Sequence, residues 1–248
     1  MAGHSKWKNI QHRKGKQDAA RGKLFTKLSK EIFAAVRNGG DDPNTNLRLR
    51  HAIQKARQNN MPVSNIENTI KKAAGNVEGI TYEEIVYEGY GPAGAAVMVE
   101  CLTDNRNRTA AEIRHIFSKN GGNLGESGCV AYIFERKGVI ILKANETEEE
   151  TLLMQMLEAG AEDIQVDEDA VEVQTAPEDY EQVRQAAEDY GYEIIEGEVM
   201  MVPSTTVTLD GDDAEKMVKL YEALEDNDDV QNIYTNVDLD HLAQFTNF

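Results

Sequence analysis

Residues 138–203, GVIILKANETEEETLLMQMLEAGAEDIQVDEDAVEVQTAPEDYEQVRQAAEDYGYEIIEGEVMMVP, hold one complete alternation of strand and helix signals. Val139–Leu142 is a short apolar run rich in β-branched side chains, and Thr147-x-x-Glu150 has the spacing of a capping box that opens a helix. Ile164–Val166 and Val171–Val173 read as two short strands, a second helix follows Pro177, and Ile194–Val202 closes the series as a strand. Strand, helix, strand, strand, helix, strand is the split βαβ order of ferredoxin-like domains.

The flanks of this stretch are each incomplete. On its amino side, Tyr82–Glu88 and Ala95–Leu102 alternate as strands around the loop Gly89-Tyr90-Gly91-Pro92-Ala93-Gly94. Thr109-x-x-Glu112 then opens a helix with Ile113, Ile116 and Phe117 inward, Gly121-Gly122 closes it, and Val130–Phe134 reads as a strand. On the carboxyl side, Thr206–Leu209 is strand-like, Asp212-x-x-Glu215 precedes a helix carrying Met217, Tyr221 and Leu224, and Val230–Val237 is a strand. A half sheet leaves an apolar face and an edge uncovered, so neither flank is stable alone. Joined, they make a second βαββαβ sheet with one extra strand. Residues 135–204 are therefore expected to be an acidic ferredoxin-like domain inserted into a domain built from residues 79–134 plus 205–240. No convincing sequence repeat relates the two sheets.

Residues 1–78 read as a basic arm followed by three helices. Leu24, Leu28, Ile32 and Ala35 or Val36 form one stripe from Lys23 to a stop at Gly39-Gly40. A second helix is expected after Asp42-Pro43 with Leu49, Ala52, Ile53 and Ala56 inward. A third opens at the Ser64-x-x-Glu67 box, carries Ile66, Ile70 and Ala73 or Ala74, and stops at Gly75. The expected fold class is α+β: an N-terminal three-helix domain plus two ferredoxin-like α/β domains, one inserted into the other.

Charge is divided as sharply as the folding signals. Residues 1–75 hold 16 Lys and Arg against 5 Asp and Glu, a balance of +11 in a 248-residue chain whose formal net charge is −18, so the other 173 residues carry −29. Residues 3–30 alone have nine Lys and Arg and one acid, Asp18. A solvated tail is the plain reading of such a run. Its density, and the interleaving of Trp7, His4 and His12, favour contact with a polyanion: cations release counterions from phosphates while an aromatic or guanidinium plane stacks on an unpaired base. The candidate nucleic-acid contacts are Lys6, Trp7, Lys8, His12, Arg13, Lys14, Lys16, Arg21, Lys23 and Lys27. A second knot, Asp104-Asn105-Arg106-Asn107-Arg108-Thr109, lies at a strand-to-helix junction. There Arg106 and Arg108 either cap and turn the chain or add a phosphate site.

Other chemistries find little support. Gly89, Gly91 and Gly94 match G-x-G-x-x-G, but Ala95–Val99 is strand-like where dinucleotide binding needs a helix, so a hairpin loop is expected. His4, His12, His51, His115 and His241 are scattered, and no nucleophile-base-acid set stands out, so the chain does not read as an enzyme. Removal of Met1 would leave Ala2-Gly3-His4, an amine, two amides and an imidazole suited to Cu(II) or Ni(II), a spacing common by chance; no cofactor is assigned. Cys101 and Cys129 sit in apolar, strand-like contexts and read as buried thiols. The runs Glu148-Glu149-Glu150 and Asp226-Asn227-Asp228-Asp229 read as solvated helix ends and turns. No run approaches the roughly 18 apolar residues of a membrane span, and the start lacks a secretory h-region, so a cytoplasmic protein without membrane partners is expected.

The opening GHSKWKNIQHRKGKQDAARGKLFTKLSKEI, the EGYGPAGAA loop and the LTDNRNRTAAEIRHIFSKNGG junction together closely resemble the YebC/PmpR family. The likeness covers essentially the whole chain, with Gly3–Trp7 matching the family's opening and Ala93 departing where the family commonly has glycine. The resemblance implies three domains and a non-enzymatic cytoplasmic protein. Members of the family are described as DNA-binding transcriptional regulators, while others, including a mitochondrial translational activator, look like ribosome-associated factors that relieve stalling at proline runs. The expectation is thus a monomeric or weakly oligomeric regulator of gene expression that binds DNA or, alternatively, ribosomal RNA. A small-molecule sensor or enzyme is the remote third reading.

Overall fold

The computed structural model describes residues 18–75, 79–144 and 148–245, with side chains from residue 21 onward. Three helices come first: α1 (Asp18–Gly39), α2 (Leu47–Gln58) and α3 (Val63–Ala74). Then follow β1 (Glu83–Tyr90), β2 (Ala96–Thr103), α4 (Arg106–Lys119) and the two-residue β3 (Asn123–Leu124). The middle of the chain gives β4 (Phe134–Lys143), α5 (Glu149–Ala159), β5 (Asp163–Val166), β6 (Ala170–Thr175), α6 (Tyr180–Asp189) and β7 (Ile194–Pro203). The last elements are α7 (Gly211–Asp226), β8 (Val230–Thr235) and the short α8 (Leu239–Leu242). Phe134–Ser204 forms one compact unit; the described residues before it and those from Thr205 onward form the other.

In the helical part the apolar stripes converge on one core that includes Leu28, Ile32, Leu49, Ile53, Ala56 and Ile66. Helix starts differ from expectation. α1 is already helical at Asp18, ahead of the stripe that starts at Lys23, and α2 begins at Leu47 rather than after Asp42-Pro43. The N-cap of α2 is the buried Asn46, whose side-chain oxygen accepts from Leu49 N at 3.0 Å while its amide donates to Ala35 O and Gly40 O, each at 2.8 Å. A side chain that caps one helix and closes another outcompetes Asp42, which instead shapes the preceding turn by accepting from Asn44 N at 2.9 Å. Gly39 is required beside it, because a Cβ there would lie 2.7 Å from Asn46 Nδ2. The Ser64–Glu67 box does not form: α3 starts at Val63 after Pro62, which places Ser64 inside the first turn. Likewise Asn105 caps α4, accepting from Arg108 N at 3.1 Å, so Thr109 is inside the helix, and α7 starts at Gly211 with no side-chain cap. Thr147 of the remaining box lies outside the described residues.

Both sheets are antiparallel, with strand orders β3-β1-β2-β8 and β5-β6-β4-β7. In the second, the first and third strands of the βαββαβ run lie in the middle and the second and fourth at the edges, as in ferredoxin-like domains. Its core holds Ile140, Leu142, Leu152, Met156, Val173 and Val183. The first sheet has the same spatial plan by another path: β2, α4 and β3 supply one half, α7 and β8 the other, and β1 fills the place of a third strand although it precedes all of them. Val97, Val99, Ile113, Phe117, Met217 and Leu224 form its core with α4 and α7. The glycine motif is the expected hairpin loop, with a short turn at Pro92–Gly94 between β1 and β2. Ala93 sits there at φ 54°, a backbone conformation that glycine adopts without strain.

Two expected strands are not strands. Thr206–Leu209 makes only a single parallel bridge, Val207 to Val237. Val130–Phe134 contains a short turn at Ala131–Ile133, and β4 begins at Phe134. The cause is Glu88, 5% exposed, whose Oε2 accepts from Gly128 N at 2.5 Å and whose Oε1 accepts from Val130 N at 3.2 Å and Ala131 N at 2.7 Å. Backbone donors gathered by a buried carboxylate are not available to a ladder. The strand that follows α4 is instead Asn123–Leu124, which reaches β1 at Gly89, where a Cβ would lie 2.7 Å from Asn123 O.

Candidate nucleic-acid interface

Lys23, Lys27 and Lys30 recur at helical spacing along one stripe of α1. Their ammonium groups are used inside the fold. Lys23 pairs with the Asp226 carboxylate, Lys27 donates to Glu225 O, and Lys30 donates to Asp228 O at 2.9 Å and Asp229 Oδ1 at 3.0 Å. The carbonyls belong to the carboxyl end of α7 and the turn after it, where the helix dipole also favours cations. Burial pushes the Lys27 amine down to about 8, against the opposing pull of Asp228. The hydrogen bond to Asp226 holds Lys23 above its usual value despite some desolvation.

Asp229 is the centre of this arrangement. Its side chain is 5% exposed, which corrects the reading of the 226–229 run as wholly solvated. Beyond Lys30 it accepts from Arg108 Nη2 at 3.2 and 3.0 Å and from Thr109 Oγ1 at 2.8 Å, while its carbonyl accepts from Leu102 N at 2.8 Å. Burial alone would raise this carboxyl, but the hydrogen bonds from Lys30, Arg108 and Thr109 outweigh it and hold the group below the usual carboxylate value. One carboxylate thus joins α1, the start of α4 and the lead into β8. The sequence shows it only as the last acid before the apolar Val230.

Of the predicted pair in the 104–109 junction, Arg108 faces Asp229 and Asp104, the latter at 3.0 Å, whereas Arg106 reaches outward to Glu83 Oε1 at 2.6 Å. Next to them is a cleft of about 650 Å³ in which Lys30 and Arg108 meet five acids: Asp104, Glu112, Asp226, Asp228 and Asp229. That balance does not suit a phosphate. Arg21, by contrast, is exposed, with its guanidinium 5.9 Å from the Phe25 ring centroid. Arg57, Lys71 and Lys72 are exposed on the helical part. Lys6, Trp7, Lys8, His12, Arg13, Lys14 and Lys16, and the Ala2-Gly3-His4 terminus, lie outside the described residues.

The cysteines separate. Cys101 is buried in β2, and burial, reinforced by Asp229, pushes its thiol up to about 12, so it packs as a small apolar group. Cys129 is half-buried in the turn held by Glu88, not in a strand. Among the described residues no cluster of His, Cys, Asp or Glu could hold a metal ion, and no helix is long and apolar enough to cross a membrane.

The basic helical part packs against the β3-β1-β2-β8 sheet through Lys23, Lys27 and Lys30. The chain belongs to the TACO1/YebC family: residues 5–76 match the TACO1/YebC protein N-terminal domain, and residues 82–237 match the TACO1/YebC second and third domain. A protein of Natranaerobius thermophilus named "Probable transcriptional regulatory protein" is 55% identical over 243 residues, covering 97% of each chain. One of the same name from Dictyoglomus turgidum is 57% identical over 246 residues, covering 98% of this chain and 99% of the relative. The crystal structure of a conserved hypothetical protein from Aquifex aeolicus superposes with a TM-score of 0.80 at 50% identity, covering 90% of this chain and 92% of that one.

Proposed function

We propose that this protein is a DNA-binding transcriptional regulator that grips phosphates through its amino-terminal arm and performs no chemistry of its own. The observation that carries this reading is the segregation of charge: 16 cations against 5 acids in residues 1–75, in a chain of net charge −18. Because Lys23, Lys27 and Arg108 are engaged with the α7–β8 turn, the phosphate contacts fall to Lys6, Lys8, Arg13, Lys14, Lys16 and Arg21, with Arg106 at the margin. Trp7 and His12 supply stacking surfaces. Support for duplex DNA comes from the names of the relatives and from α2 and α3, which are joined by only four residues, Asn59–Pro62, with Asn60 at φ 57°. A helix, a tight turn and a second helix with exposed Ser64, Asn65, Asn68, Lys71 and Lys72 could present polar side chains to a groove.

The specific observation favouring a second reading, ribosomal RNA, is the single Trp7 set among arm cations, which suits unpaired bases in structured RNA. Binding of the full-length protein to duplex DNA and to ribosomal RNA fragments across a salt series tests both. Affinity should fall steeply with salt, and deleting residues 1–17 should flatten that dependence; deletion that leaves binding unchanged removes the arm from the mechanism. Crosslinking in cells with sequencing of bound DNA and RNA then separates promoters from ribosomal RNA.

A further inference from the structure

One end of the β3-β1-β2-β8 sheet is unlike the rest of the surface. Three loops meet there: the hairpin between β1 and β2, the turn from α4 into β3, and residues 125–133 ahead of β4. They pack too closely for side chains in between, since a Cβ on Gly122 would lie 2.6 Å from Tyr90 O and one on Gly125 2.7 Å from Cys129 Sγ. In a chain with 44 Asp and Glu, residues 89–99, 113–125 and 127–134 hold none, which leaves Glu126 as the one acid of these loops. The basic side chains of those segments, Arg114, His115 and Lys119 on the carboxyl half of α4, are exposed and have no ion pair among the described residues. Lys216 of α7, which borders Gly121, is paired with Asp212.

Tyr132 projects from this end 80% exposed, more than any other large hydrophobic side chain of the described residues, and makes no hydrogen bond or ring contact among them. Its mount is fixed. The amides of Val130 and Ala131, immediately before it, donate to the buried Glu88 carboxylate, and Tyr90, on the same face of β1 as Glu88, donates from its hydroxyl to Cys129 O at 3.2 Å. Desolvation, then Cys129 and Tyr132, keep the Tyr90 phenol above its ordinary value, so the two tyrosines are neighbours. A side chain held in place yet left bare gives up little freedom when it binds. We propose that this end of the sheet is a stacking site for an unpaired nucleobase, with Tyr132 as its platform, Tyr90 beside it, and His115 and Lys119 at the acid-free end of α4 receiving the adjoining phosphates. An aromatic ring stacks on the face of any base, but within a duplex that face is covered by the next pair, so the site selects bases that stand out of a helix. The arm, by contrast, meets phosphates whether or not the bases are paired. The site rests on the function proposed above for its class of ligand and not on the arm. Melted DNA and RNA loops offer it the same chemistry.

The test is binding of full-length protein to three probes of one sequence, each about twelve nucleotides long: a DNA strand, the matching RNA strand and the DNA duplex. Tyr132→Ala should weaken binding of both single strands about tenfold, within the range of one base–aromatic stack, and leave the duplex within about twofold. Tyr132→Phe should bind as the unmodified protein does. Stacking releases no counterions, so the salt dependence should be unchanged in Tyr132→Ala, whereas Lys119→Ala should lower the single-strand slope by about 0.7. Single-strand affinity that is indifferent to Tyr132→Ala overturns the site, as does an equal loss on the duplex. A loss in Tyr132→Phe as large as in Tyr132→Ala also overturns it, because the hydroxyl and not the ring is then in use. Where Tyr132→Ala fails to fold, Tyr132→Trp decides: it should bind single strands at least as tightly, and weaker binding overturns the site. Tighter binding of the RNA strand names looped RNA as the source and tighter binding of the DNA strand melted DNA; either supports the site while the dependence on Tyr132 holds. The full-length variant Lys6→Gln, Lys8→Gln and Lys14→Gln separates this site from the arm. Duplex binding that survives those changes sinks the arm and leaves a Tyr132-dependent site standing, whereas duplex binding that needs them beside single-strand binding indifferent to Tyr132 sinks the site alone.

Discussion

The two sheets have one spatial plan and opposite ways of reaching it. The inserted sheet is threaded by a single contiguous run, and its core joins residues brought together by neighbouring turns. The other is assembled from segments on both sides of that insertion, with β2 pairing to β8 across residues 97–235, and its joints are polar. Glu88 gathers the amides before β4, and Asp229 gathers Lys30, Arg108 and Thr109. Where local order cannot hold a sheet together, buried carboxylates with several donors take over that task, and they make it sensitive to single substitutions.

The largest expected effect follows from breaking that joint. Asp229→Ala removes the buried carboxylate that Lys30, Arg108 and Thr109 share and should destabilise the discontinuous unit by about 3 kcal/mol. Calorimetry should show one transition moving down while the transition of the inserted unit stays in place; a uniform shift of both would mean the two units do not unfold separately. Below about pH 4 the same contribution should fade in the unmodified protein. The depressed folded value of Asp229 gives stability that is present above the unfolded value and lost as pH falls through the folded one.

A smaller effect of opposite sign is expected at Lys27. Its folded value of about 8 lies below the ordinary 10.5, so the cost of burying the ammonium is full below about pH 8 and is relieved as pH rises from there toward 10.5. Lys27→Met should raise stability at pH 7 by about 2 kcal/mol and abolish the rise in alkali, as read by urea midpoints over that range. Nucleic-acid affinity should hardly change; a large loss would return Lys27 to the phosphate-binding set. The smallest effect is expected from Arg106→Ala, since the pair with Glu83 is exposed on both sides, and thermal melting should detect a loss within about 0.5 kcal/mol.

The apolar stripes were legible from the residues alone: Leu28, Ile32, Leu49, Ile66, Ile113 and Met217 all lie in cores, and the order of elements in residues 138–203 could be read directly. Period alone carries that information. Helix starts were less legible because a capping sequence is only an option until the rest of the fold arrives. Asn46 displaced Asp42 by bonding Ala35 and Gly40, contacts that form only once the turn between α1 and α2 has folded back and that the capping pattern does not encode. Val130–Phe134 has strand composition, yet its amides answer to a carboxylate some forty residues earlier. In the candidate site, the basic run was visible as composition, whereas the commitment of Lys23, Lys27 and Arg108 depends on acids from the far end of the chain.

The path through Glu88 and Asp229 also sets an order of events on a chain made from its amino end. When Glu88 and the turn it holds are complete, β8 and Asp229 are still a hundred residues from being made, and β2 waits with one side open. The inserted unit needs nothing that comes later, so it can close first and bring the two halves of the outer sheet within reach. The insertion is then a timing device as well as a domain: its own folding shortens the loop that the last strand must span.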